Sequence, residues 1–544
     1  MTEKRILAFS IVAILALVLL VASRSDNVSA AKTVVQFKWA NPMAVYDVKV
    51  SGNGDHLAAV NQTGLYYFNT DNQTPVWWHE PPTSFLRSVA ISADGDYVVA
   101  GDNDGFLHYF NQSTQRTGNQ TTPTWTSYDM GGPIERGTMD MSANGNYTVV
   151  GGTGLNVWYY ANCKDRTGEN NVATWTSGPG VMDFLTVHIS PNGKYVAGGG
   201  TRFDNSGFVV FYKDADNATG YYSPAWFSYD QAPNSVSDLA LSDDGYSVAA
   251  IGADFTLYYW ADATGLVGSP NATWTNPGSF VCIDMSGDGS KVVTGGYYIT
   301  SLHFWDDCRT RTGTQSEDWV KLETINIYDV AMSNDGSIMA APAMGLPSNY
   351  TAVFLTQGGA NVEGYLLPEF ANMVSMSADG TTVAMAGPGY DSLYLFKAVE
   401  DLTPPDISEI RQQPNSTSVQ PYDRVYIFAN VTDDQSGVHQ VTLNYTTGNG
   451  TWFTTEMDVY QGDTWNGTIP AYPYDTTVTY VIIAEDNANN TITTQELGYT
   501  LQYEVMPENI ATIPVLLIMT VSLALAIIYG KKRKPTTNRK NLPA

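Results

Sequence analysis

The chain has 544 residues, enough for two or three domains with cores of their own. Its 34 Tyr and 13 Trp exclude a disordered chain, because this much aromatic surface can be buried in a core. Once both termini (1–5 and 530–544) are set aside, 19 basic residues stand against 53 acidic ones. This charge argues against nucleic acid as a partner and favours divalent cations, a salty medium or cationic partners.

The N-terminal residues 1–30 have the pattern of a signal peptide or a retained signal anchor. Lys4 and Arg5 precede an apolar run over 6–22, and the small residues 28–30 (VSA) offer a cleavage site. Cleavage is the favoured alternative. Both alternatives place the residues that follow outside the cell.

Residues 33–399 contain one unit repeated eight times. Each copy centres on Ser-x-Asp/Asn-Gly, where Asp or Asn stabilises a tight turn and Gly takes the positive φ that closes it. The motif begins at Ser51, Ser92, Ser142, Ser190, Ser242, Ser286, Ser333 and Ser377. Spacings of 41 to 52 residues, with several short strands in each unit, are typical of β-propeller blades. The pattern predicts eight blades, with seven as the alternative if one unit is an insertion.

Four strands are predicted in each unit. One apolar strand precedes the motif, a second follows it, and a third is aromatic. The fourth strand is marked by Trp39, Trp78, Trp125, Trp175, Trp226, Trp274 and Trp319, with Tyr365 at the last position. Because Trp39 precedes the first motif, we expect the N-terminal strand to complete the last blade and close the ring.

Two family resemblances accompany this pattern. Residues 89–111 resemble a WD40 repeat, and the step from Thr117-Gly118 to Trp125 resembles the PQQ-like (quinoprotein-like) propeller repeat. The resemblance covers about two thirds of the chain and implies the propeller fold. The chain lacks the Gly-His pair of WD40 repeats, vicinal cysteines and a quinone site, so no quinone-dependent activity is implied and no cofactor is expected from it.

A second domain is predicted at residues 400–504, after the break Asp401-Leu-Thr-Pro-Pro. Alternating strands separated by Asp- and Asn-rich turns suggest an immunoglobulin-like or fibronectin III-like β-sandwich. Segments such as VTDDQSGVHQVTLNY and AEDNANN resemble Ig-like modules common on prokaryotic, especially archaeal, surface proteins.

The C-terminal part predicts one transmembrane helix, residues 508–530, and a basic tail, 531–544. Residues 510–529 carry no charge, and at 1.5 Å per residue they cover about 30 Å of hydrocarbon. The basic cluster that starts at Lys531 indicates a cytoplasmic C-terminus. We therefore expect a single-pass protein of the cell membrane, with most of the chain extracellular.

Fifteen Asn-x-Ser/Thr sequons, none in the basic tail, agree with that topology. The glycosylation candidates are Asn61, Asn111, Asn119, Asn146, Asn217, Asn271, Asn349, Asn415, Asn430, Asn444, Asn449, Asn466 and Asn489.

A calcium site is a candidate at the start of the second domain. Asp401, Asp406, Asp433, Asp434 and Asp486 lie in turns or near the domain boundary, and clustered carboxylate oxygens are the ligands that calcium prefers. Asx-rich turns without any metal are the alternative. No other metal is expected.

The loops that lead into each first strand, and those between second and third strands, form the predicted ligand face. Its polar candidates are Glu135, Arg136, Asp183, Arg202 and Asp204. Solvated loops without a ligand are the alternative.

No disulfide is expected between two of the three cysteines, and the third cysteine and two of the histidines are assigned to packing positions. Cys163 and Cys308 occupy the same repeat position in different blades, too far apart for a disulfide, and Cys282 falls on an inner strand. His108 and His303 stand where other repeats have Tyr, so we expect them to pack rather than to catalyse. No catalytic motif is present.

These features favour a non-enzymatic, membrane-anchored display protein whose propeller binds a glycan, an envelope component or a partner protein. The alternatives are an extracellular propeller enzyme, such as a polysaccharide lyase or hydrolase, and a purely structural component of the cell envelope.

Overall fold

The structure is a computed structural model. It describes residues 33–506, apart from 83, 153–155, 178–181, 230–234, 297–300, 323–324, 346–349, 357–360, 388–391, 434–436, 449 and 489. One compact unit covers Thr33–Val399, and a second begins at Glu400.

The described residues of the first unit form eight antiparallel sheets, one for each motif, numbered here 1 to 8 in chain order. Sheet 1 contains Asp47–Val50, His56–Val60, Leu65–Asn69 and Trp77–His79, and sheet 2 contains Leu86–Ile91, Val98–Asp102, Leu107–Phe110 and Trp125–Ser127. Sheet 3 contains Met139–Met141, Tyr147–Val150, Trp158–Ala161 and Trp175–Thr176, and sheet 4 contains Met182–Ile189, Val196–Arg202, Gly207–Tyr212 and Trp226–Ser228. Sheet 5 contains Val236–Leu241, Val248–Gly252, Thr256–Trp260 and Trp274–Pro277. Sheet 6 contains Phe280–Met285, Val292–Gly296, Ser301–Trp305 and Trp319–Leu322.

Sheet 7 has a divided first strand, and sheet 8 contains the N-terminal strand. The strands of sheet 7 are Ile325–Ile327, Ala331–Met332, Ile338–Gly345, Tyr350–Thr356 and Asn361–Leu367. The strands of sheet 8 are Met373–Met376, Thr382–Ala386, Leu393–Glu400 and Thr33–Asn41. Short strands Gly118–Asn119, Gly168–Asn171, Gly220–Tyr221 and Gly313–Thr314 add to the outer edges of sheets 1, 2, 3 and 5.

The sheets pack face to face in a closed ring. Middle strands such as Val98–Asp102 and Gly207–Tyr212 are buried at every position, because a neighbouring sheet covers each of their faces. One apolar cluster joins Val48 of sheet 1 to Leu395 of sheet 8. The N-terminal strand pairs with Leu393–Glu400, so the predicted closing strand is confirmed.

The repeated motif forms the turn between first and second strands through side-chain hydrogen bonds. In sheet 6, Ser286 Oγ donates to Asp288 Oδ1 at 2.7 Å and accepts the main-chain N–H of Lys291 at 3.0 Å. Gly289 adopts the positive φ of 70° that the turn needs. Asn144 replaces the aspartate in sheet 3 with the same geometry, which explains why both residue types occur there.

Buried tryptophans join consecutive sheets. The indole N–H of Trp125 donates to the main-chain oxygen of Cys163 at 2.9 Å, and that of Trp274 donates to Cys308. Equivalent bonds, each 2.8 or 2.9 Å long, run from Trp39 to Thr70, Trp77 to Ser113, Trp175 to Ala215 and Trp226 to Ala263. Trp78 lies on the fourth strand of sheet 1, as predicted, but its neighbour Trp77 is the buried residue that makes the bond.

The three cysteines are free and buried; burial had been predicted for Cys282.

The second unit contains two sheets that share one apolar core, a β-sandwich. Sheet 9 consists of Asp406–Gln413, Val425–Thr432, Thr464–Ile469 and Asp458–Gln461; sheet 10 consists of Trp452–Glu456, Val438–Thr446, Thr477–Asp486, Thr491–Thr493 and Leu501–Glu504. Burial alternates along Val425–Thr432, as expected for a strand with one face in the core. The immunoglobulin-like assignment stays a prediction.

Within the described residues no helix is long and apolar enough to cross a membrane. The predicted span 508–530, its tail 531–544 and the N-terminal segment 1–30 lie outside those residues.

Candidate functional site: the central cavity and the loop face around it

The first strands of all eight sheets surround one central cavity of about 610 Å³. Its lining combines apolar and charged side chains of these strands. The charged and titratable groups that line it are Lys49, Arg136, Asp140, His188, Asp238, Asp284 and Asp329. The cavity is therefore polar and rich in carboxylates.

Five aspartates at the inner wall tie neighbouring sheets together. One carboxylate oxygen accepts the N–H of the next residue in the chain, and the other accepts a main-chain N–H from the following sheet. The aspartates are Asp47, Asp140, Asp238, Asp284 and Asp329, and the donors in the following sheets are Val89, Ile189, Ile283, Met332 and Val374, at 2.7 to 3.1 Å. Ser375 makes the corresponding bond from sheet 8 to Val50 of sheet 1 at 2.9 Å.

These bridging aspartates were not identified from the sequence. A signal exists, because Asp47, Asp238 and Asp329 each lie four residues before a motif serine, while Asp140 and Asp284 lie two residues before one. Burial together with the neighbouring charge of Asp329 raises the pKa of Asp238 to about 7, and burial raises the pKa of Asp284 to about 7. Burial thus favours the protonated form of both carboxyls relative to an exposed aspartate.

Arg136, a predicted ligand-face residue, lines the cavity and remains partly exposed to solvent. It follows the fourth strand of sheet 2, yet its guanidinium pairs with Asp329 of sheet 7 and lies 3.9 Å from Asp47 of sheet 1. Burial lowers its pKa, but the charges of Asp329, Asp47 and Asp238 raise it above the usual value for arginine. Arg136 therefore neutralises the carboxylates of the cavity and links opposite sides of the ring.

The other ligand-face candidates lie at the predicted loop end of the sheets. Glu135 pairs with Arg87 at 3.2 Å, and Arg202 pairs with Asp204 at 3.2 Å. Asp183 lies on the first strand of sheet 4, opposite Thr201 and one residue from the pair formed by Met182 and Arg202. The structure therefore brings Asp183, Arg202 and Asp204 together on sheet 4, while Arg136 belongs to the cavity.

Exposed aromatic side chains lie at the same loop end, and no repeat pattern in the sequence distinguishes them from buried aromatic residues. We call this set the aromatic face: Phe85, Tyr128, Phe203, Tyr229 and Phe255, which are between 37% and 70% exposed. All belong to loops of sheets 2 to 5. The Arg202 guanidinium lies 4.7 Å from the ring centre of Tyr229, so a charged group already stacks on one of them.

A serine, a histidine and a glutamate form a hydrogen-bonded chain in sheet 6. Ser301 Oγ lies 2.7 Å from His303 Nε2, and His303 Nδ1 lies 3.0 Å from Glu317 Oε1. The order matches that of a hydrolase triad, but Ser301 is only 1% exposed and Phe280 packs on the imidazole at 5.1 Å. Burial lowers the pKa of His303. A substrate carbonyl has no access to this hydroxyl, so the arrangement serves packing, as predicted for His303.

Three of the five calcium candidates come together in the second unit. One carboxylate oxygen from each of Asp401, Asp433 and Asp486 lies within 4.8 Å of the others, and Asp401 and Asp486 are fully buried. Asn490 Nδ2 donates to the main-chain oxygen of Asp401 at 3.0 Å and to Asp486 Oδ2 at 2.8 Å. Carboxylate and carbonyl oxygens are ligands that fit calcium, and calcium binding stays a prediction.

The remaining two calcium candidates are not part of this cluster. Asp406 is exposed on the first strand of sheet 9, and Asp434 lies outside the described residues.

The sequons have an uneven distribution over the ring. Asn111, Asn119, Asn217 and Asn271 lie in connections between third and fourth strands, and Asn146 lies in a motif turn, all at the end opposite the aromatic face. Among the described sequon asparagines of the ring, Asn61 alone lies at the aromatic end.

In the sandwich, Asn415 is exposed, whereas Asn430, Asn444 and Asn466 lie half-buried in strands. Asn430 donates to Glu409 at 2.9 Å, a bond that a glycan on this nitrogen would displace. Asn349, Asn449 and Asn489 lie outside the described residues.

Comparisons with known proteins agree with the ring architecture. Residues 74–111 match the family model described as WD domain, G-beta repeat. The crystal structure of the C-terminal WD40 domain of Sif2 is similar to this chain, with a TM-score of 0.51 and 13% identity over 68% of this chain and 99% of that domain. No curated protein matches. The fold of the ring is therefore that of a WD40-like β-propeller, and at this identity the likeness concerns the fold alone.

Proposed function

We propose that this chain is a membrane-anchored cell-surface protein whose propeller binds a partner protein through the aromatic face. The main support for this binding face is the group of five exposed aromatic side chains at one end of sheets 2 to 5. Large aromatic side chains with arginines beside them are the residues that contribute most energy to protein interfaces. The eight sheets, each with its own motif turn, support a propeller of eight blades.

The distribution of sequons supports the same face. Glycans on Asn111, Asn119, Asn146, Asn217 and Asn271 would cover the opposite end and the outer rim, and would leave the aromatic face of sheets 2 to 5 open. The wide, shallow arrangement of loops suits a protein surface better than a small ligand. The cavity suits a small ligand less, because Arg136 crosses it and the aspartates of its wall are engaged with main-chain N–H groups.

The placement at the membrane rests on the sequence. The uncharged segment 510–529, the basic residues that follow it and the sequons confined to the preceding residues all support one orientation. In this proposal the Ig-like sandwich is the spacer between the propeller and the membrane.

A pair of photo-cross-linkers tests the binding face. One cross-linker replaces Phe203 on the aromatic face, and the matched one replaces Tyr221, which is 78% exposed at the opposite end of the ring. Both proteins are displayed on the native cell surface, and captured proteins are purified and titrated against the chain. We expect capture from position 203 alone, and a loss of affinity of about tenfold or more in Phe203→Ala and Phe255→Ala. Equal capture from both positions would refute the proposal.

The alternatives give different results. A glycan ligand would give specific hits on a glycan array that weaken in Phe203→Ala. A structural envelope component would give neither hits nor a captured partner. A serine hydrolase would react with a fluorophosphonate probe at Ser301, which the burial of that hydroxyl argues against.

A further inference from the structure

The outer face of sheet 9 in the β-sandwich carries large aromatic side chains, where a solvent-facing strand usually carries polar ones. Along Val425–Thr432, alternate residues belong to the apolar core, and Tyr426 and Phe428 lie between them on the other face. Tyr460 of the edge strand Asp458–Gln461 contacts Phe428 edge to face, with 5.3 Å between the ring centres. Tyr426 is 41% exposed and Tyr460 is 63% exposed. Contiguous apolar surface of this kind outside a core is typical of a binding site.

A cavity of about 270 Å³ lies at these rings, and its lining consists of Arg411, Gln412, Gln413, Phe428 and Tyr460. The Arg411 guanidinium lies 5.4 Å from the ring centre of Phe428. The C–H face of a sugar ring stacks on an aromatic ring, and its hydroxyl groups form hydrogen bonds with guanidinium and amide groups. The lining therefore has the chemistry of a saccharide site.

Asn466, one of the glycosylation candidates, lies directly opposite Phe428 on the adjacent strand. Arg411 is paired with Phe428 on one side, and Asp458 is paired with Asn466 on the other, so these four residues form one row across sheet 9. Directly opposite residues have Cβ atoms about 4.5–5.5 Å apart and point to the same face of the sheet. A glycan on Asn466 Nδ2 therefore begins beside the ring of Phe428.

The side chain of Asn466 differs from that of Asn430, the other sequon asparagine on this face. Asn430 Nδ2 donates to Glu409 at 2.9 Å, and Asn430 Oδ1 accepts the hydroxyl of Thr464 at 2.6 Å. In the described part of the chain, no hydrogen bond holds the side chain of Asn466. A glycan on Asn466 therefore displaces no contact seen there, whereas a glycan on Asn430 would break one.

We propose that the outer face of sheet 9 is a saccharide-binding platform, occupied by the glycan that this chain carries on Asn466. The inference rests on the extracellular placement in the proposed function. The sugars nearest Asn466 stack on Phe428 and Tyr460, and the charged side chains at both ends of the row form hydrogen bonds with their hydroxyl groups. The glycan thus covers the aromatic surface and holds the edge strand Asp458–Gln461, in which every residue is exposed.

The test uses the full chain, purified in mild detergent from its native cells. Glycopeptide mass spectrometry measures the occupancy of each sequon, and hydrogen–deuterium exchange measures the protection of sheet 9. We expect an occupied Asn466, and exchange of residues 458–469 that is about threefold faster or more in Asn466→Gln. Thr468→Val, which removes the sequon and keeps the asparagine, should have the same effect. The matched control, Asn415→Gln, removes a sequon from an exposed loop of the same unit and should leave this exchange unchanged.

Tyr460→Ala shows whether the aromatic rings hold the glycan. In this background Asn466→Gln should add little to the exchange rate, because the stacking contact is already lost. Independent effects of the two changes would overturn the proposal, and so would an occupied Asn466 whose loss leaves exchange unchanged.

The occupancy measurement separates this inference from the proposed placement. A bare Asn466 beside occupied sequons elsewhere in the chain would overturn the platform alone. A chain with no occupied sequon would overturn the platform and also contradict the extracellular placement. Binding of free oligosaccharides through Tyr460 to a chain with a bare Asn466 would assign the face to an external sugar instead.

Discussion

Trp77 of sheet 1 donates its indole N–H to the main-chain oxygen of Ser113, 2.8 Å away and 36 residues later in the chain. Ser113 begins a short 3-10 helix in the connection between the third and fourth strands of sheet 2. The same bond recurs from sheet to sheet, and the following Thr-Gly segment then covers the outer edge of the preceding sheet. The same connection thus accepts the hydrogen bond of a buried indole N–H and pairs with the outer edge of the preceding sheet.

Trp77→Phe should destabilise the ring, and Trp78→Phe should not. The first change removes the indole donor to the Ser113 carbonyl, which keeps the N–H of Arg116 at 3.3 Å, and it removes part of a fully buried ring, at a cost of about 1–3 kcal/mol. The adjacent Trp78 is half-buried and supplies the control. Denaturant unfolding of both variants gives the comparison, and equal free energies of unfolding would contradict the assigned role.

The adjacent tryptophans Trp77 and Trp78 show which features of the fold cannot be predicted from the sequence alone. Turns, strand order and the closing strand follow from local chemistry, because Ser-x-Asp/Asn-Gly and Trp positions repeat along the chain. Which of Trp77 and Trp78 faces the core depends on strand register, and a double Trp fits both choices. The contact of Arg136 with Asp329 joins residues 193 positions apart, so no local pattern encodes it.

The motif aspartates predict acid sensitivity of the ring. In the turn of sheet 6, partial burial raises the pKa of Asp288, but hydrogen bonds from Ser286 and Ser290 outweigh it and lower the pKa to about 2. A carboxyl whose folded pKa is depressed contributes stability that is complete above its unfolded pKa, near 4, and is lost as the pH falls through about 2. Wild type should therefore lose more stability between pH 4 and 2 than Asp288→Asn.

Asn144 provides the matched control for that experiment, because it occupies the same turn position in sheet 3 and likewise accepts hydrogen bonds from the motif serine Oγ and from the main-chain N–H two residues later. Asn144→Asp should add acid sensitivity where Asp288→Asn removes it. Thermal melting of the three proteins across this pH range is the measurement. Parallel pH profiles for all three would show that these carboxylates do not set the acid response.

Arg136→Met should weaken the ring, because it removes the cation that pairs with Asp329 and leaves Lys49 as the remaining lysine or arginine of the described cavity lining. The guanidinium pairs with Asp329 and lies near Asp47, and its partial exposure to solvent limits the expected loss to about 1–3 kcal/mol. Arg202→Met, which removes an arginine paired with the exposed Asp204, is the matched control and should cost about 0–1 kcal/mol. Chemical denaturation compares the two, and equal small losses would mean that the contacts across the cavity do not stabilise the ring.

Calcium should stabilise the β-sandwich through Asp401, Asp433 and Asp486. The carboxylate oxygens lie within 4.8 Å of one another, so the three negative charges repel. A bound divalent cation attracts all three carboxylates. Because only the folded unit brings them together, calcium binding stabilises the folded state. Calorimetry of the full chain should therefore show heat on calcium addition and a higher melting temperature, which EGTA reverses. Asp486→Asn should lose both effects, whereas Asp406→Asn, which changes an exposed aspartate outside the cluster, should keep them. Absence of heat and of a melting shift in the wild-type chain would exclude the site.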